Sequence, residues 1–295
     1  MHLIEKYFFK ERRDALRIRF LRLVLKHRTS YPYLSGDAFA ELCDYAAFGK
    51  DGTRDLNLRR LRQAKKLFVP GHKLSELLSN HYGDISATVL ICGNSDQNFI
   101  EDPLLPKSIK LWLCQNYAVE DGFGKVLPIG LENLRLGKSG FTRFFQFTER
   151  KRETNKILVP PMRITNAVRN EVINLGKRIP SRFTVVEEYM SSSEYFDLLT
   201  RHKYVLVMEG NGFDTHRLWE CLYLNCTPIV LRSSWSVKLV EELELPILII
   251  PDIKSLEGFQ VDESITNRSL LFYKTYKDYL YIPAWKNYIH AIAGE

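Results

Sequence analysis

The chain has 295 residues, of which 45% are hydrophobic and 26% charged, with a formal net charge of +7. These proportions exclude a disordered or collagen-like chain, and the length suits two domains of roughly 120–150 residues, each able to bury a core. The positive excess fits an anionic partner, while five cysteines, odd in number and without CxxC or His-paired spacing, point to neither a zinc site nor a disulfide framework.

No apolar run reaches the ~18–20 residues that span a bilayer, and Glu5 and Lys6 interrupt the opening stretch, so a cytoplasmic location is expected. Residues 5–28, EKYFFKERRDALRIRFLRLVLKHR, follow a helical period that gathers Phe9, Leu16, Phe20, Leu23 and Val24 on one face and arginines elsewhere. Such a basic amphipathic helix suits peripheral attachment to an anionic membrane, each basic group contributing on the order of 1 kcal/mol. The same pattern serves an ordinary surface helix or a partner-binding one. In residues 31–39, Pro32 and Gly36 punctuate a turn, and Ser35 or Asp37 stands where a cap belongs. The basic stretch 57–68, with Arg59, Arg60, Arg62, Lys65 and Lys66, reads as a solvated face.

Apolar runs at 87–92, 109–114 and 125–129 each end in a polar loop, which predicts strands of a parallel sheet. Ligands of open α/β sheets bind outside the carboxyl ends of strands, so Asn94, Asp96, Gln115, Asn116, Glu132 and Asn133 are candidates to line one crevice. A charged, aromatic stretch at 139–154 places a boundary near Arg150, giving domains 1–150 and 151–295. The second half alternates strands at 156–159, 183–186, 204–208, 228–231 and 246–250 with helices at 167–176, 192–201, 215–224 and 237–243. That is the pattern of a Rossmann-like domain. A last helical segment, 265–291, has no strand partner and is a candidate to cross back to the first half.

The strand at 204–208 runs into Glu209-Gly210-Asn211-Gly212-Phe213-Asp214 and a helix starting near Thr215. A glycine loop between strand and helix lets backbone approach a ligand, and the free N–H groups and positive dipole end of the helix attract an anion such as a diphosphate. Asn211, Gly212, Asp214, Thr215 and His216 therefore form the expected anion cradle. Arg217 in the first turn can fork onto phosphate oxygens, and Glu220, three residues on, can accept from both ribose hydroxyls. The plainer alternatives are a surface ion pair for Arg217 and Glu220, a simple cap for Asp214 or Thr215, and no chemical task for His216. Arg163 and Arg169, after the strand at 156–159, are further candidates for the phosphates. The loop lacks the spacing of a dinucleotide fingerprint and has no P-loop lysine, which argues against NAD or ATP.

The run Asn211-Gly212-Phe213-Asp214-Thr215-His216-Arg217-Leu218-Trp219-Glu220, followed by Asn225, Cys226, Thr227, Pro228, Ile229 and Val230, resembles the exostosin-type glycosyltransferase signature. Asn225 stands where such sequences usually carry glycine, and asparagine also tolerates the left-handed conformation. Looser likenesses at Gly93–Asp96 positions 93–96, at 114–116 and at 128–133 touch the first half. The resemblance implies a GT-B-like fold of two Rossmann-like domains facing a cleft, the C-terminal one holding a nucleotide-sugar donor and the N-terminal one a glycan acceptor. It also implies an inverting transfer without a catalytic metal, in polysaccharide, lipopolysaccharide or protein-glycan synthesis. Consistently, no Asp-x-Asp triplet occurs. Inversion needs a base for the acceptor hydroxyl; Asp96 is the first candidate and Asp37 the second, each also readable as a turn or cap residue. No cofactor, metal or nucleic-acid partner is expected. The alternative is a non-catalytic nucleotide- or glycan-binding protein of the same fold.

Overall fold

The computed structural model describes residues 28–137, 139–145, 152–188, 190–259, 271–275 and 277–294, together with 20, 21 and 23–25. Most of residues 5–28, where a basic helix is expected, and the boundary near Arg150 lie outside the described residues.

The protein is an α/β structure with two parallel five-stranded sheets. The first contains β1 (Tyr45–Ala46), β2 (Lys66–Pro70), β3 (Val89–Gly93), β4 (Leu111–Cys114) and β5 (Lys125–Val126), paired in chain order. Its helices are α1 (Gly36–Ala40), α2 (Leu58–Gln63) and α3 (Leu74–His81). The second contains β6 (Thr154–Val159), β7 (Phe183–Val185), β8 (His202–Leu206), β9 (Thr227–Leu231) and β10 (Leu248–Ile250), in the order β7-β6-β8-β9-β10. Between its strands run α4 (Ala167–Arg178), α5 (Ser192–Arg201), α6 (His216–Tyr223) and α7 (Ser234–Leu243), and α8 (Ile282–Ala293) ends the chain.

Two differences from the sequence reading concern the first sheet. The stretch 57–68 is not one solvated face: α2 exposes its arginines around a buried Leu61, but Lys66 begins a strand that is buried throughout. Its lysine is 5% exposed, its ammonium lies 3.6 Å from Asp44 Oδ1, and a short Leu-Phe-Val run supplies the burial that charge counting hid. The strand expected at 125–129 is only two residues long, because Pro128 lacks an N–H and the chain turns at Gly130 with φ 65°.

Three apolar clusters hold the fold. One lies between α2, α3 and the first sheet, with Trp112 and Tyr117 at its centre; another packs α4 against the second sheet. The largest is continuous across both sheets, joining Phe68, Ile91 and Leu113 to Trp219, Leu222, Trp235 and Trp285. Helix α8 thereby packs on the first half, and Trp285 meets Phe39 edge-on at a centroid distance of 5.4 Å, a geometry worth about 0.5–1.5 kcal/mol beyond its area. The halves share a core, so their facing loops are held in a defined register. All five cysteines are free. Among the described residues no helix is long and apolar enough to cross a membrane.

Candidate functional site

The strand order of the second sheet reverses between β6 and β8, so the loops leaving their carboxyl ends diverge and open a crevice. Residues 160–166 form one wall, and residues 207–215, leading into α6, form the other.

Two arginines, Arg169 buried and Arg217 half-buried, stitch these walls together. Asn166 caps α4 by accepting from the Arg169 N–H at 3.1 Å, and its amide donates to the Glu209 carbonyl at 3.2 Å. Arg169, in the first turn, donates to the carbonyls of Glu209 at 2.9 Å, Arg163 at 2.8 Å and Met208 at 3.1 Å. Its guanidinium thus fixes the loop path and has fewer donors left for a phosphate than the sequence suggested. Arg217 Nη2 donates to the Pro161 carbonyl at 2.6 Å, so it too reaches the opposite wall. Arg163 itself is exposed beside them.

Arg217 and Glu220 do not form a surface ion pair. The Tyr195 hydroxyl, from α5, stands between them: it accepts from Arg217 Nε at 3.0 Å and donates to Glu220 Oε2 at 3.0 Å. Glu220 is 5% exposed, and its Oε1 takes no hydrogen bond from the described residues. Burial raises the Glu220 pKa, while the charges of Arg217 and His216 hold it down. For Arg217 burial favours the neutral form, but Tyr195 and Glu220 outweigh it and its pKa is raised. The Arg169 pKa is lowered, first by burial and then by the neighbouring Arg217 charge. Two guanidiniums that repel one another at the mouth of a crevice are relieved by an anion placed between them.

The start of α6 adds to this. In the same half, α4, α5 and α7 are closed by the side chains of Asn166, Ser191 and Ser233, but Thr215 at the head of α6 makes no cap bond. Its hydroxyl is buried without a partner. Gly210 faces this point: a Cβ there would lie 3.1 Å from Arg169 Nη2 and 4.0 Å from the Thr215 methyl. An orphaned hydroxyl, open helix amides and two guanidiniums converge on one region, which is the chemistry of an anion site.

The rest of the loop faces the first half instead. Asn116 Oδ1 accepts from the Asp214 N–H at 2.7 Å and Asn98 Oδ1 from the Phe213 N–H at 3.0 Å. The Asp214 carboxylate accepts from Ile129 N at 2.9 Å and from Trp219 Nε1 at 2.9 and 3.0 Å. Burial pushes its pKa up to about 7 against these donors. Asp214 is a tether between the halves rather than a ligand-facing group. Gly212 serves the same junction: a Cβ would stand 2.8 Å from the Asn116 amide, so the glycine admits Asn116, not a nucleotide. His216 Nδ1 donates to the Gly130 carbonyl at 2.8 Å, a further bond from the start of α6 to the first half. Asn211 is exposed and donates to Asp96 Oδ2 at 3.2 Å, so the first base candidate sits against the glycine loop.

Asp37 is in a different setting. Ser35, not Asp37, caps α1, accepting from the Ala38 N–H. The buried Asp37 carboxylate accepts from Arg135 Nε at 2.7 Å and Asn94 Nδ2 at 2.9 Å, and Asn133 bonds both Asn94 and the Asp37 N–H. Its pKa is raised by burial, opposed chiefly by Arg135 and Lys50. This closed network uses Asn94 and Asn133, which were expected in the crevice.

No protein-family model and no curated protein matches the chain. The functional reading therefore rests on the residues themselves. Tyr195 carried no signal in the sequence, since a tyrosine in an amphipathic helix reads as core. Asn98 stands two residues after Asp96 in the same polar loop, and its type alone does not show that it reaches the Phe213 N–H.

Proposed function

We propose that the protein is a glycosyltransferase that binds a nucleotide-diphosphate sugar at the crevice between β6 and β8 and passes the sugar to a glycan, in a GT-B-like arrangement. The observation that carries the reading is the convergence of Arg169, Arg217, the uncapped start of α6 and the orphaned Thr215 hydroxyl where the strand order reverses. A diphosphate satisfies all four. Glu220 Oε1 is the free carboxylate oxygen beside it, suited to ribose hydroxyls.

The chemistry follows from that placement. A single displacement with inversion places negative charge on the departing diphosphate, and Arg217 with the α6 dipole stabilises it. Asp96 accepts the acceptor proton from the first half, held toward the glycine loop by Asn211. In this proposal guanidinium and helix, rather than a divalent ion, carry the charge of the departing diphosphate. Membrane attachment through residues 5–28, on the cytoplasmic face, is part of the same proposal.

The test is a thermal-shift panel of nucleotide-sugars with chelator present. A ligand at 100 times its Kd stabilises the native state by about 2.7 kcal/mol. A shift with at least one nucleotide-sugar, lost in Arg217→Ala, is expected; no shift with any of them overturns the reading. The second reading, a binding protein without transfer, predicts the same shift and no turnover; the exposure of Asp96, which leaves its carboxylate open to solvent, is what keeps it in view.

A further inference from the structure

A cavity of about 350 Å³ lies wholly within the first half, between α3 and the loop that follows β3. Ser75, Ser79 and Tyr82 line one side, and Gln97, Phe99 and Leu104 the other. The volume falls within the range of small-molecule sites. Its walls are fixed: the Tyr82 hydroxyl donates to the Leu105 carbonyl at 2.9 Å, Phe99 packs edge-on to Trp112 at 5.7 Å, and the Gln97 N–H bonds Ser95 Oγ at 3.1 Å.

The lining chemistry narrows the occupant. No lysine, arginine, aspartate or glutamate lines the cavity and His72 is its one basic side chain, so a highly charged ligand finds little there to compensate it. Ser75 and Ser79 are four apart on α3 and share a face; both serines and Gln97 are exposed, and their side chains make no hydrogen bond among the described residues, which leaves them open to a ligand in exchange for water. Beside these free polar groups stand the rings of Phe99 and Tyr82 and the side chain of Leu104, 82% exposed at the rim. Unused neutral donors and acceptors next to flat apolar surface match a molecule that has hydroxyl groups on its edge and C–H groups on its faces.

Position supplies the second argument. Gln97 directly follows Asp96, whose carboxylate meets Asn211 of the glycine loop. The cavity is therefore one residue along the chain from one of the contacts between the first half and the glycine loop. We infer that this cavity binds a neutral saccharide unit of the acceptor glycan, one that lies beyond the reacting sugar and sets the register of the chain. This inference rests on the glycosyltransferase reading for its biological sense, but not for its binding test.

That test is a printed array of neutral and anionic oligosaccharides probed with the full chain, Ser79→Trp and Gln97→Ala, alongside the nucleotide-sugar thermal shift. The wild type retains at least one neutral oligosaccharide. Ser79→Trp fills the cavity and weakens that binding by at least about tenfold, Gln97→Ala by a few-fold, and both keep the nucleotide-sugar shift. The inference is overturned if the wild type holds no neutral oligosaccharide, holds only anionic ones, or is matched by both variants. Should Ser79→Trp not fold, Gln97→Ala decides alone. Array binding without any nucleotide-sugar shift removes the transferase reading and leaves the cavity; the reverse result removes the cavity only.

Discussion

Replacing Tyr195 by phenylalanine removes one oxygen and breaks two bonds at the centre of the site. Arg217 Nε loses its acceptor at 3.0 Å, and Glu220 Oε2 loses its donor at 3.0 Å. Glu220 is 5% exposed and its other oxygen has no bond from the described residues, so water cannot fully replace the phenol. Hydrogen bonds to charged groups contribute about 1.5–3 kcal/mol each, and the two here are coupled, so the loss is about 2–4 kcal/mol rather than their full sum. Urea unfolding followed by fluorescence measures it, with the slope unchanged and the midpoint lowered. The variant also frees Arg217 to turn from its site, and nucleotide-sugar affinity falls with stability. A change below about 0.5 kcal/mol, within the range of ordinary surface substitutions, would refute the claim that Tyr195 couples the two charges.

Other outcomes follow from the same contacts. The Asp214 pKa is raised by burial from 3.8 to about 7, so the native state holds the proton more tightly than the unfolded chain. The stability this gives is present below about pH 4 and is lost as pH rises to about 7, an effect of about 4 kcal/mol; Asp214→Asn removes that slope in unfolding curves taken across pH 4–8. Glu220 is displaced in the same direction, so Glu220→Gln flattens the fall in stability above pH 4.5, measured the same way. Gly212→Ala drives a methyl to 2.8 Å from the Asn116 amide and lowers stability by about 1–3 kcal/mol, read as a lower urea midpoint. Arg169→Met removes the bonds to three carbonyls and loosens residues 207–210 toward hydrogen exchange, a change seen by mass spectrometry.

The second half was legible because its strands are apolar, and loop and element alternate with regular length. Asn225 takes φ 56°, the left-handed conformation expected of a residue replacing glycine there. The first half was less so. β1 is two residues long, and β2 opens with a lysine whose charge is balanced by Asp44, so neither has the apolar length that marks a strand. In the glycine loop, residue types identified the region but not which way each side chain turns. Asp214 and Gly212 look like cradle residues in sequence and are held by Trp219, Ile129 and Asn116, the last two 85 and 98 positions from Asp214 along the chain. The role of Tyr195 was invisible for the same reason: only packing of α5 on α6 brings its hydroxyl between Arg217 and Glu220.

Release of nucleoside diphosphate from nucleotide-sugars, measured with chelator for the wild type and Arg217→Ala in the presence of a glycan mixture, tests the central proposal most directly. The account predicts turnover of at least one nucleotide-sugar by the wild type and a loss of about tenfold or more in the variant, equivalent to at least about 1.4 kcal/mol of transition-state stabilisation. Equal turnover in the two proteins, or none with any donor, would contradict it.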